Sequence, residues 1–96
     1  MEKVTMKQPF GSNKFYQLVK KVVEKQKGKF CGYSLIDGVL KEQGLTRDKI
    51  SMKEFNKLYV YINWSLRMME ESKVIKFVAW EKGQSVIKKK MYKVVR

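Results

Sequence analysis

The chain contains no histidine and a single cysteine, Cys31. Those two absences remove most site chemistry. One cysteine cannot form an internal disulfide, and Cys31 reads as a reduced thiol near a helix start. A structural zinc site needs a set of Cys and His ligands that the sequence does not supply. Nucleophile–base pairs of the Ser-His or Cys-His kind are excluded for the same reason. The few carboxylates, among them Asp37, Asp48, Glu54, Glu70 and Glu71, are scattered, with no paired acid and base and no glycine-rich phosphate loop. The expectation is therefore not an enzyme, and no cofactor.

Long apolar runs are missing as well. The longest is Leu58 to Ile62, far short of the about 20 residues of a membrane span. Residues 1 to 12 lack the apolar centre of a secretion signal. The expected setting is cytoplasmic: the nucleoid, or a host cell for a viral protein, with no membrane partner.

What is abundant is positive charge. Lys and Arg number 22 against 9 acids, for a net charge of +13 over 96 residues. Folding does not call for that much self-repulsion, so an anionic partner is implied. Lysine outnumbers arginine 19 to 3, which suits point contacts to phosphate better than forked contacts to guanine edges. The charge is also uneven. Residues 1 to 30 carry eight lysines against Glu2 and Glu24, and residues 73 to 96 carry eight basic residues against Glu81 alone. Between them, six basic and six acidic residues cancel. A drift in overall composition would have touched the middle too.

The apolar pattern organises the chain into one domain, residues 12 to 96, behind an arm of residues 1 to 11 that holds the only proline, Pro9. Helix one is predicted from Asn13 to Lys27, between a Ser12 cap and a Gly28 stop. Phe15, Leu18, Val19, Val22 and Gln26 recur on one face. Helix two is predicted from Ser34 to Gln43, with Ser34 and Asp37 at capping-box spacing and Gly44 as its end. Gly38 inside it costs about 1 kcal/mol relative to Ala, which suggests the close approach of another backbone, most simply helix three.

Helix three has the clearest start. Ser51 and Glu54 form a capping box, and Ile50 and Phe55 stand at staple positions. Its stripe is Phe55, Leu58, Tyr59, Ile62, Leu66 and Met69, running to Glu71, about 30 Å. Opposite the stripe fall Lys53, Asn56, Lys57, Val60, Trp64, Arg67 and Glu71. The tail reads as a hairpin: Lys73 to Trp80, a turn at Glu81-Lys82-Gly83-Gln84, and a return from Ser85 to Val95. Lys29-Phe30-Cys31 offers a further short strand. The fold class is α+β, three helices and a C-terminal β-hairpin.

Ile62-Asn-Trp-Ser-Leu66-Arg-Met-Met69-Glu-Glu-Ser-Lys-Val74-Ile75 resembles the end of a recognition helix turning into a wing strand. With the element order, it makes residues 12 to 96 similar to a winged helix-turn-helix domain. Three features depart from that pattern. The Leu45–Ile50 link and helix three are both long, and Ser72-Lys73 stands where the family often has glycine. The resemblance implies a DNA-binding protein, a small transcriptional regulator, with helix three in the major groove and the wing on the neighbouring backbone. It places Ser51, Lys53, Asn56, Lys57, Val60 and Tyr61 at the groove, and Lys82, Gln84, Lys88, Lys89 and Lys90 on the wing. Lys14, Lys20 and Lys21 of helix one are backbone contacts in the same reading. In Lys88-Lys89-Lys90, strand alternation sends Lys89 to the opposite face from its neighbours.

Val60 and Trp64 form an apolar spot on the wet side of helix three. This favours an interface: a homodimer seam, a partner protein, packing by the arm, or direct nucleic-acid contact. The alternative function is thus a winged-helix module that docks on protein. RNA binding is a third reading, with no aromatic stacking motif to support it.

Overall fold

The computed structural model describes residues 13–82 and 88–95. It is α+β: three α-helices followed by a two-stranded antiparallel hairpin, the layout of a winged helix. The helices are α1 (Asn13–Glu24), α2 (Ile36–Glu42) and α3 (Met52–Glu71); the strands are β1 (Ile75–Lys82) and β2 (Lys88–Val94). The expected arm, the Ser12 cap, and Gly83 and Gln84 of the expected turn lie outside the described residues.

The core collects one face from each helix. Phe15, Val19, Val22 and Val23 come from α1; Ile36, Val39 and Leu40 from α2; Leu58, Ile62, Leu66 and Met69 from α3. Phe30, Leu35, Ile50, Ile75 and Tyr92 close it. On α1 Val23, absent from the predicted face, is buried, and Gln26 of that face lies past the helix end. Two assignments of the α3 stripe also change. Tyr59, expected inside, is exposed, and Ser65, not expected there, is buried. Ser65 satisfies its hydroxyl by donating 2.9 Å to the Tyr61 carbonyl one turn back, so a polar side chain can face the core.

Helix one ends three residues early, at Glu24 rather than Lys27. A 3-10 turn at Tyr33–Leu35 leads into α2, which therefore starts later than Ser34. The expected Ser34–Asp37 box does not form. Ser34 Oγ instead accepts from the Cys31 N–H at 3.1 Å and donates to the Cys31 carbonyl at 2.8 Å, which knots the turn at the buried thiol residue. Gly38 also has a different neighbour from the one expected. A Cβ there would come 2.7 Å from Cγ1 of Val22, so it is α1, not α3, that presses on α2 at this point.

Helix three runs from the Ser51 cap to Glu71 as expected. Ser51 Oγ accepts from the Glu54 N–H at 3.1 Å. The return half of the box is not made, and Glu54 Oε2 is buried without a partner among the described residues. The long link before α3 is structured: it holds a 3-10 turn at Arg47–Lys49. The Arg47 guanidinium reaches both oxygens of Asp37, at 2.7 and 3.2 Å, and the Tyr33 hydroxyl at 2.9 Å. Those hydrogen bonds, Asp37 foremost and then Tyr33, raise the Arg47 pKa above its already high ordinary value.

Two helix ends share one device. After α2, the N–H groups of Gly44 and Leu45 bond to the carbonyls of Lys41 and Leu40; after α3, those of Lys73 and Val74 bond to Glu70 and Met69. Both are Schellman closures, which put a left-handed residue just past the helix. Gly44 takes it at φ 71°, and Lys73 takes it at φ 63°.

The hairpin pairs Ile75 with Val94 through Lys82 with Lys88, so Glu81 and Lys82, expected in the turn, belong to β1. Phe30 adds a single antiparallel bridge to Tyr92, with both backbone bonds made at 3.0 and 2.8 Å. Of the short strand that Lys29-Phe30-Cys31 suggested, only this one bridge forms, and the sheet stays two-stranded. The register slips between Phe77 and Ala79, which leaves Val78 as a β-bulge.

Candidate nucleic-acid interface

The bulge sets the composition of the hairpin's inner face. Without it, Ala79 would follow Phe77 on that face and Trp80 would point away. With it, Trp80 pairs with Lys90 and comes onto the face of Phe77 and Tyr92, its ring 5.8 Å from that of Phe77. Lys82 and Lys88 continue the same face toward the tip. Lys89 takes the other face opposite Glu81, as strand alternation predicted. Gln84 lies outside the described residues.

The three neighbouring lysines are not equivalent. Lys88 and Lys89 are exposed. Lys90 is drawn inward: its Nζ lies 5.3 Å from the centre of the Tyr92 ring, 5.6 Å from that of Phe77, and 3.4 Å from Glu70 Oε1. Partial burial pulls its pKa down, but the Tyr92 hydroxyl and Glu70 outweigh it and hold the group above the ordinary lysine value. Lys90 is therefore committed to joining the hairpin to α3.

Helix α3 presents the outer face that its periodicity implied. Lys53, Asn56, Lys57, Val60, Trp64, Arg67 and Glu71 are all exposed. Ser51 sits at the start with its hydroxyl engaged in the cap. Tyr61 does not share this face. It is half-buried, edge-on to Trp64 at 5.9 Å, and with Trp64 and Met68 it borders a depression of about 240 Å³ against Asn13, Phe15 and Tyr16 of α1.

On helix one, Lys14 and Lys20 have no ion-pair partner among the described residues, whereas Lys21 is 3.1 Å from Glu42. Glu42 also takes Lys25 at 2.9 Å, and hydrogen bonds from Lys25 and then Lys21 hold its carboxyl below the usual range. Lys29 is paired with Glu81.

Two residues that the sequence does not assign to a site, Tyr59 being placed in the core stripe, stand between the helix and the hairpin. Asn63 and Tyr59 of α3 face Trp80 and Lys88 across a cleft of about 170 Å³. Asn63 falls between the outer face and the core stripe, and periodicity alone gives such flanking positions no role. Gly32 and Tyr33 line the cleft as well.

No helix among the described residues is long and apolar enough to cross a membrane. Comparison with known proteins finds no matching family model, no matching curated relative and no matching solved structure.

Proposed function

We propose that this chain binds duplex DNA and acts as a small transcriptional regulator. In this reading α3 lies along a groove and the hairpin lysines grip the flanking phosphates. One observation carries it. The cations Lys53 and Lys57 on α3 and Lys82 and Lys88 on the hairpin are exposed with no carboxylate partner among the described residues, while Lys21, Lys25, Lys29 and Lys90 are matched with carboxylates. The first four lie on the elements that a winged helix turns toward DNA. Asn56 is the side chain on that face suited to an adenine edge. Lys89, Lys14 and Lys20 add backbone contacts at the margins. Such a protein works where the DNA is, in the nucleoid or in an infected cell.

The test is a titration of labelled duplex at two salt concentrations. Five phosphate contacts give a log–log slope of about −4.5. Replacing Lys82 and Lys88 by Ala lowers the slope by about 1.8 and weakens all sequences alike, whereas Asn56→Ala alters sequence preference. Binding without a salt slope overturns the reading.

A second reading is favoured by Val60 and Trp64, which are 62% and 50% exposed. With Met68, they lay an apolar strip along α3 that phosphate binding does not explain. In that reading the strip docks a second copy or a partner protein. Light scattering on wild type and Trp64→Ala separates a dimer from a monomer, and a pull-down is needed for a foreign partner.

A further inference from the structure

We propose that the cleft between α3 and the hairpin receives a single unpaired base of the bound DNA. The inference rests on the nucleic-acid reading above and extends it from duplex to duplex with an adjoining unpaired nucleotide.

Three exposed aromatic side chains line the cleft: Trp80, 58% exposed, with Tyr33 and Tyr59. Trp80 is there only because the Val78 bulge turns it to the helix side. A hairpin that merely touched phosphate has no use for it. Aromatic faces beside cations are the means by which proteins hold bases outside a helix, because every base has a π-face.

The cleft's size fits one ring system. Its roughly 170 Å³ lies below the about 300–1,000 Å³ of pockets that take whole drug-sized ligands. A base stacked in duplex cannot enter it; one at an overhang, flap or bulge can.

Asn63 supplies a reading group. Its carboxamide makes no hydrogen bond among the described residues and offers two donors and an acceptor to a base edge. Gly32 is what leaves room for it. A Cβ at position 32 would fall 2.2 Å from Asn63 Oδ1. Gly32 has ordinary helical dihedrals, φ −56° and ψ −40°, so the requirement is for space and not for backbone freedom. Lys88 lines the same cleft and stands ready for the phosphate of the inserted nucleotide.

The experiment compares three labelled DNAs: a blunt duplex, the same duplex with a short single-stranded overhang, and that overhang with abasic sites. A Trp64→Phe background leaves Trp80 as the only tryptophan and makes its emission a direct report. The overhang should bind roughly tenfold tighter than the blunt duplex and quench Trp80, and the abasic overhang should do neither. Trp80→Ala should remove the increment, and Trp80→Phe should keep part of it. Gly32→Ala should reduce discrimination among overhang bases by displacing Asn63. The proposal is overturned if blunt and overhang DNA bind equally, if the abasic overhang binds as tightly as the native one, or if Trp80→Ala and Trp80→Phe weaken both DNAs alike. Salt-dependent binding to blunt duplex survives all three outcomes, so the wider reading fails separately, by the absence of that binding. Quenching of Trp80 by an acidic peptide and not by DNA would overturn both.

Discussion

Lys90 Nζ lies 3.4 Å from Glu70 Oε1, so the second strand of the hairpin is tied to the last turn of α3. The same ammonium rests over the rings of Phe77 and Tyr92. Lys90 thus links helix and hairpin at the wall of the cleft, which it also lines.

Lys90→Met should therefore destabilise the domain by about 1 kcal/mol, the combined worth of a partly exposed ion pair and a cation–π contact. The folded pKa lies above the ordinary 10.5, so the contribution is fully present below pH 10.5 and is lost as pH rises through the folded value. Urea midpoints of wild type and Lys90→Met should differ by a constant amount across neutral pH and converge above pH 10.5. A difference that persists unchanged in strong alkali would assign the effect to packing alone.

Opposite signs are expected at the two left-handed helix ends. Gly44→Ala forces a side chain into φ 71° and should cost about 1 kcal/mol. Lys73→Gly relieves the equivalent strain and should gain up to about 1 kcal/mol. In a domain of this size each kcal/mol moves Tm by about 4–8 °C, which calorimetry resolves.

Lys76 and Lys93 stand directly opposite each other on the outer face of the hairpin, and with Lys27 they border a depression of about 350 Å³. Like charges in that register are destabilising. Lys93→Glu should stabilise the hairpin by about 0.5–1 kcal/mol in low salt, and the gain should shrink as salt screens the pair. A gain independent of ionic strength would point away from charge.

Arg47→Lys should cost about 1 kcal/mol although the charge is kept. A lysine cannot span both oxygens of Asp37 while reaching the Tyr33 hydroxyl and lying over the Tyr33 and Phe55 rings, as the guanidinium does. The urea midpoint should fall with the slope unchanged. An unaltered midpoint would show that the long link holds its shape without the fork.

The sequence by itself determined the elements and their order, because capping and periodicity are local. Ser51, Glu54 and the apolar spacing defined α3 to both ends, along with its outward row from Lys53 to Glu71. Charge clustering likewise needed only counting. What tertiary structure decided was who meets whom. Lys21 and Lys90 look in sequence like their free neighbours, and only the fold brings Glu42 and Glu70 to them. Tyr59 and Ser65 exchange expected places because burial at the margins of a helix stripe depends on what lies across from it. Gly38 signalled a close contact, but only packing could name Val22 as its source. The Val78 bulge matters most for the site. A one-residue slip in strand register moves every later side chain to the other face, and no local pattern announces it. That slip puts Trp80 beside Asn63, and so makes a cleft from residues that the sequence keeps apart.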